Sequence, residues 1–368
     1  MGKSLLFLPD ISGFTEFVQT TEVEHSQHVI SELLEVLIAA NTEELQLAEV
    51  EGDALFFYKE NDVPSLERLL ALSEHIFTAF YSHLKLLEKN RICPCSACSS
   101  APKLQLKIIA HCGELQFLTV QNNRKPFGSE VIEAHRLMKN SVDSDNYVLF
   151  SKELANTIGL SGNYQSKLYK FEEGTDIYDG KRLDYLFSVI DNNNLKLRSF
   201  LTANKVVFNK PPSFILEQEF PVSAAELLET LTNYGYRSKW KEGVDEIIFN
   251  VNEVTRLGSE HVCVVNEKHL DFVVITKEVK PGQLVYGEMT KSPVPLDALY
   301  QFYIITPLSA DRCKLVLEMY LEAKSPLKKL AIFLIVKAVF KKNVAKGIDT
   351  LFELLSSKNA VSETMYVK

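Results

Sequence analysis

Two aspartates have settings that suit divalent-cation chemistry. Asp10 ends an apolar run in Leu8-Pro9-Asp10-Ile11-Ser12-Gly13-Phe14-Thr15, just ahead of a helix-like segment. Asp53 sits in Glu51-Gly52-Asp53-Ala54, a Gly-containing turn between two strand-like segments, residues 47–50 and 55–58. A strand-end carboxylate and a hairpin-turn carboxylate meet when their strands are neighbours. Such a pair can hold divalent ions, which orient and polarise a nucleoside triphosphate. Each residue also has an ordinary reading, Asp10 as a helix N-cap and Asp53 as a turn residue, because both positions favour Asp.

The order and spacing of the two segments resemble the metal-binding pair of class III adenylate and guanylate cyclases. The resemblance covers residues 1–190 and is most specific around Asp10 to Thr15 and at Gly52-Asp53. It implies a two-metal site for Mg²⁺ or Mn²⁺, with Ile11 adding a backbone carbonyl to Asp10 and Asp53. One ion would assist attack of the ribose 3′-hydroxyl on the α-phosphate, and the other would neutralise the phosphate chain. Glu49, four residues before Asp53, falls at the purine-selecting position, where a carboxylate accepts from the N1 and N2 donors of guanine. An exposed strand glutamate is the alternative. Lys125 falls at the second base-reading position, where the family has Asp or Cys.

Arg136 matches the family arginine that stabilises charge developing on the α-phosphate. The family Asn four residues earlier is Ile132 here, and an isoleucine cannot donate a hydrogen bond to the ribose. In this family the metal aspartates and the Asn/Arg pair come from opposite sides of a head-to-tail dimer, so the resemblance implies a homodimer. The pattern favours a regulatory descendant that binds a purine nucleotide and a divalent metal. An active guanylate cyclase converting GTP to cyclic GMP is the alternative.

The elements that must position these residues follow from periodicity. Apolar spacing predicts a helix over residues 13–41, two strands flanking Gly52-Asp53, and a second long helix over residues 64–90. Residues 104–112 and 113–120 read as a hairpin, followed by a helix over 129–140 and strand-like pieces at 147–150, 167–171 and 183–190. This order suits the α+β, ferredoxin-like sheet with covering helices that cyclase domains share. Asp191-Asn192-Asn193-Asn194 is a strong boundary signal, opening a linker over residues 191–212.

Three of the six cysteines crowd into Cys93-Pro94-Cys95-Ser96-Ala97-Cys98, an insertion of the first domain. The two-residue gap between Cys95 and Cys98 is common at structural zinc sites. A fourth ligand for Zn²⁺ would be Cys112 or His111. A redox thiol cluster and reduced surface thiols are the alternatives, and a disulfide framework is disfavoured in a long cytoplasmic chain.

A second domain is expected over residues 213–357, with a flexible tail over 358–368. Residues 214–220 alternate like a half-buried strand, and Ser223-Ala224-Ala225-Glu226 is a capping-box pattern. Strand-like segments follow at 246–254, 261–267, 270–279, 284–289, 299–306 and 314–321, before a closing helix over 326–355. Together with Phe220-Pro221-Val222-Ser223 and Trp240, this organisation resembles the helix-grip fold of the START-like superfamily, which includes polyketide cyclase and lipid-transport relatives. The resemblance implies a cavity for a hydrophobic small molecule or lipid. Tyr286, Tyr300, Phe302, Tyr303 and Trp240 are candidates to line it, although aromatic strand residues mostly pack as core. His261 and His269 read as isolated. The combination of the two domains resembles a bacterial two-domain family.

The closing helix carries Lys324, Lys328, Lys329, Lys337, Lys341, Lys342 and Lys346 around Leu327, Leu330, Ile332, Phe333, Leu334, Val336 and Val339. A solvated lysine face over a core-packed apolar face is the ordinary reading. Peripheral contact with an anionic membrane is the other. In composition the chain is ordinary for a globular protein, with 46% hydrophobic and 24% charged residues. Its net charge of −8 argues against wholesale nucleic-acid binding. Residues 1–10 are too short an apolar run for a secretory signal, which makes a cytoplasmic location the expectation. A third reading of the whole is a lipid-binding protein dimerised by its first domain.

Overall fold

Every residue of β1 (Ser4–Ser12) is buried, as expected of a strand in the middle of a sheet covered on both faces. The computed structural model describes residues 2–200, 205–241, 243–251, 253–265, 267–291, 293, 295–331 and 336–365. The chain divides into two compact units, Met1–Glu88 with Ser96–Phe200 and Lys89–Cys95 with Leu201–Lys368.

In the first unit β1 leads through Gly13, held at a left-handed φ of 88°, into α1 (Phe14–Thr20). A side chain at Gly13 would strain that turn. There follow α2 (Val23–Ala39), the hairpin of β2 (Gln46–Glu51) and β3 (Ala54–Lys59), α3 (Leu66–Asn90) and α4 (Ser96–Ser100). Next come β4 (Gln105–Gly113), β5 (Gln116–Val120), β6 (Asn123–Phe127) and α5 (Ser129–Leu137). The unit closes with β7 (Tyr147–Ser151), α6 (Lys152–Ile158), β8 (Glu172–Tyr178) and β9 (Lys181–Val189). Seven strands form a mixed sheet in the order β2-β3-β1-β4-β7-β9-β8 in this α+β unit, while β5 and β6 form a separate ribbon. Only the β4–β7 pair is parallel. Leu6, Leu8, Phe56, Ile109 and Leu149 share a core with Ala134 and Leu137 of α5.

Three expectations change here. The helix expected over 13–41 is two helices, α1 and α2. Residues 104–112 and 113–120 do not form a hairpin. β4 pairs with β1 and β7, and β5 turns back onto β6 through Gln121 and Asn122, both at positive φ. The strand read at 167–171 lies later, at β8, paired to β9 through Asp179-Gly180, again both at positive φ. Such two-residue turns match the twist of the strands they join.

The second unit contains β10 (Phe214–Phe220), α7 (Ala224–Thr232), α8 (Tyr234–Arg237), β11 (Glu246–Ile248), β12 (Glu260–Val265) and β13 (Lys268–Ile275). It continues with β14 (Leu284–Lys291), β15 (Ala298–Pro307), β16 (Cys313–Glu322), α9 (Pro326–Ala331) and α10 (Lys337–Met365). Its seven strands are all antiparallel, in the order β10-β16-β15-β14-β13-β12-β11. Ser223 caps α7 by accepting from the Glu226 N–H at 3.1 Å, and Ile348, Leu351 and Leu355 of α10 bury into one core with Leu227, Leu231, Tyr303 and Leu317. Phe208, within the expected linker, stacks on Tyr320 at 3.8 Å.

α10 continues beyond the expected helix end at Leu355. Of the apolar residues named in the basic helix, Ile332, Phe333 and Leu334 lie outside the described residues, while Leu327, Leu330 and Val339 are exposed. Among the described residues no helix is long and apolar enough to cross a membrane.

Candidate functional site

The two aspartates come together because β1 keeps one register along β3, which sets Ala54 opposite Asp10 and Asp53 one residue further on. β1 pairs with β3 from Leu5↔Lys59 to Phe7↔Phe57 and next at Asp10↔Ala54. Pro9 has no N–H to give to the ladder, which accounts for the gap before Asp10. β2 and β3 are joined through Gly52, at φ 71°, which sets Asp53 at the hairpin tip. The Ile11 N–H then donates to the Asp53 carbonyl at 3.2 Å, tying the end of β1 to that tip.

Asp10, Ile11 and Asp53 line an open cavity of about 730 Å³. Further side chains that the sequence reading did not select also line it, among them Glu51, Lys107 and His135. Lys107 is the register partner of Asp10 on β4, and its Nζ lies 2.9 Å from Asp10 Oδ2. His135 of α5 reaches Glu51 Oε2 through Nε2 at 3.0 Å, while its Nδ1 lies 2.8 Å from the Val131 carbonyl oxygen. Burial, and then the charge of Asp10, push the Asp53 carboxyl up to about 6, with Lys107 opposing. Two carboxylates crowded in this way gain from any cation that enters between them.

The remaining expected residues sit elsewhere. Glu49 and Lys125 are ion-paired to each other, Oε2 to Nζ at 2.9 Å, with both side chains well exposed. Arg136 is ion-paired to Asp179 at 2.5 Å. Ile132, one turn before it on α5, is 54% exposed. None of these four residues is among those lining the cavity.

The cysteine expectation changes in one ligand. Cys93, Cys95 and Cys98 group with His25, their ligand atoms all within 4.8 Å of one another, a set able to hold a metal ion. Cys112 is not part of the group. It is buried on β4, where its thiol donates to Thr157 Oγ1 at 3.5 Å. His111 instead lies between Ser151 Oγ and Glu130 Oε2, at 2.8 and 3.0 Å. His25 escaped notice because it lies far upstream, on α2, and no spacing rule links it to the cysteine loop.

The second unit holds a buried charged cluster where the sequence suggested isolated histidines. Arg237 and Glu288, both with fully buried side chains, are ion-paired. Tyr286 Oη and Gln301 Nε2 also donate to Glu288, and Arg237 reaches His261 Nε2 at 3.2 Å. Burial drives the His261 imidazole down to about 3, so it is neutral at physiological pH. Against the desolvation of full burial, Arg237 and then Lys241 hold the Glu288 carboxyl well below the usual carboxylate range. A polar residue on an antiparallel strand reads as solvent-facing, and this is why the cluster was not legible in the sequence.

Comparison with known proteins gives a mixed result. Residues 30–147 match a family described as a protein of unknown function, DUF2652. An uncharacterised protein of Mycobacterium tuberculosis is 29% identical over 132 residues, or 36% of this chain, and the chain spans 61% of the length of that relative. The structural neighbours include adenylyl and guanylyl cyclase domains that cover about half of this chain. The adenylyl cyclase CyaB of P. aeruginosa is 16% identical, with a TM-score of 0.38 over 52% of this chain and 94% of the other. The guanylate cyclase domain from Catenaria anguillulae, solved with GTP, is 16% identical with a TM-score of 0.37, over 52% and 98%. A guanylyl cyclase domain from the fungus Blastocladiella emersonii is 14% identical with a TM-score of 0.38, over 52% and 97%.

Proposed function

We propose that the first unit binds a purine nucleotide together with a divalent cation and serves a regulatory role, with little or no cyclase turnover. The observation that carries this reading is the meeting of Asp10, Ile11 and Asp53 on one open cavity. Carboxylate and carbonyl oxygens are hard donors, which fit Mg²⁺ or Mn²⁺. Lys107 already supplies one positive charge beside Asp10, so the donor set fits one divalent cation better than the two that the family resemblance implies. That cation, when bound, would neutralise the phosphate chain.

The weak turnover follows from residues that would act on the transition state. Ile132 offers no hydrogen bond to a ribose. Arg136 is engaged by Asp179. Glu49, the guanine-reading candidate, is held by Lys125, and both would have to separate to read a base. Exposed Ile132 and Leu118, with the edge-strand residues Leu47 and Val50, support a homodimer as the assembled form. The test is calorimetric titration of GTP and ATP with Mn²⁺. Saturable binding that disappears in Asp10→Ala and Asp53→Ala supports the reading, and unchanged binding in both variants removes its basis.

An active guanylate cyclase is the second reading, favoured by the presence of Asp10, Asp53 and Arg136. For the second unit, we propose a helix-grip fold that binds an apolar small molecule. This is supported by an antiparallel seven-stranded sheet closed by a long C-terminal helix and by a cavity of about 270 Å³ beneath α10.

The His25, Cys93, Cys95 and Cys98 group has the thiolate and imidazole donors of a tetrahedral zinc site. One equivalent of zinc in the purified protein, lost in Cys95→Ser, is the expected result. Metal-free wild-type protein, purified without chelator in zinc-supplemented medium, would contradict it.

A further inference from the structure

The cavity of the second unit is lined mostly by apolar side chains, with Lys241, Gln301 and Asn343 among its polar ones. Leu270, Phe272, Leu299, Met319, Phe340 and Val344 make much of its wall, and Lys241 and Trp240 also line it. Among the described residues neither finds a hydrogen-bond acceptor for its buried donor, Lys241 Nζ and Trp240 Nε1. Among the described residues, the carboxylate paired with Lys241 is Glu288, its Oε2 3.7 Å from Nζ. Glu288 is already bonded by Arg237, Tyr286 and Gln301.

The charge balance of the cluster points the same way. Arg237 and Glu288 neutralise each other, and His261 is neutral. Lys241 therefore stands as a second cation, and burial, followed by the neighbouring Arg237, works against its charged form even though Glu288 favours it. Buried donors without acceptors are rare in native proteins and call for an explanation, and a buried ammonium without its own anion is costlier still. An anionic acceptor arriving with a ligand would satisfy both groups at once.

We propose that this cavity takes an amphipathic monocarboxylate, its carboxylate held by Lys241 and the Trp240 indole N–H and its apolar body against Phe272, Met319 and Phe340. The inference rests on the reading of this cavity as an apolar-ligand site and adds the headgroup. At about 270 Å³, the cavity lies at the lower edge of small-molecule sites, which suits a body on the order of ten heavy atoms.

The test uses the full chain and two probes of equal length, decanoate and decanol, both below their aggregation limits. Trp240 is the single tryptophan of the chain, so its fluorescence reports the cavity directly, with calorimetry as a second readout. The expected result is decanoate binding at least tenfold tighter than decanol, with Lys241→Met reducing decanoate to the level of decanol and leaving decanol unchanged. Equal affinity of wild-type protein for the two probes would overturn the headgroup assignment while leaving the apolar cavity standing. Absence of binding by either probe would overturn both. The comparison of probes on wild-type protein needs no variant, so a misfolded Lys241→Met would not blunt the test.

Discussion

Lys107 Nζ lies 2.9 Å from Asp10 Oδ2, across one rung of the β1–β4 ladder. An ammonium in this place competes with a metal ion for the same carboxylate. Removing it should therefore strengthen cation binding. In Lys107→Ala, Mn²⁺ should bind tighter, or in two equivalents in place of one, as read by calorimetry with and without GTP. Weaker Mn²⁺ binding in that variant would show that Lys107 supports the cation site.

The second unit should be acid-labile. His261 has its folded value depressed to about 3 from an ordinary 6.5, so the unfolded chain binds the extra proton between those limits. The stability tied to its neutral form is therefore fully present above pH 6.5 and is lost as pH falls toward 3. Glu288, depressed from 4.5, adds to the loss below that value. Each proton of difference contributes up to about 1.4 kcal/mol per pH unit. Urea melts followed by Trp240 fluorescence should show the midpoint falling between pH 7 and pH 4, with a shallower slope in His261→Gln. A midpoint independent of pH would contradict the burial of a neutral His261.

Gly287 is packed against its neighbours, since a Cβ there would meet the Phe302 ring at 2.6 Å and the Ile275 carbonyl oxygen at 2.9 Å. The backbone oxygen cannot move aside cheaply. Gly287→Ala should destabilise the second unit by about 1–3 kcal/mol, measured in the same urea melts. Leu351→Ala, which empties a fully buried position on α10, should cost about 2–5 kcal/mol.

What was legible in the sequence was what local rules govern. The turn at Gly52 and the strands beside it carry their own signals, and so does the Ser223 cap. The separation of β5 from β4 was missed because it depends on Gln121 and Asn122 adopting positive φ, where neither residue announces a turn as Asn-Gly would. Asp179-Gly180 does announce one, and reading it would have placed β8 and β9. Lys107, Glu51 and His135 were invisible for a different reason. They come from β4, β2 and α5, and only the register of the sheet and the packing of α5 bring them to the Asp10 cavity. Arg237, Glu288 and His261 likewise derive their meaning from a shared buried space.

As proposed, the first unit holds a nucleotide through Asp10 and Asp53 without efficiently cyclising it. The most direct measurement is incubation of the purified protein with GTP and Mn²⁺, followed by mass spectrometry for cyclic products. Intact GTP is the expected result, retained by the wild-type protein and released by Asp53→Ala. Accumulation of cyclic GMP by the wild-type protein, lost in Asp53→Ala, would contradict it and establish an active guanylate cyclase despite Ile132.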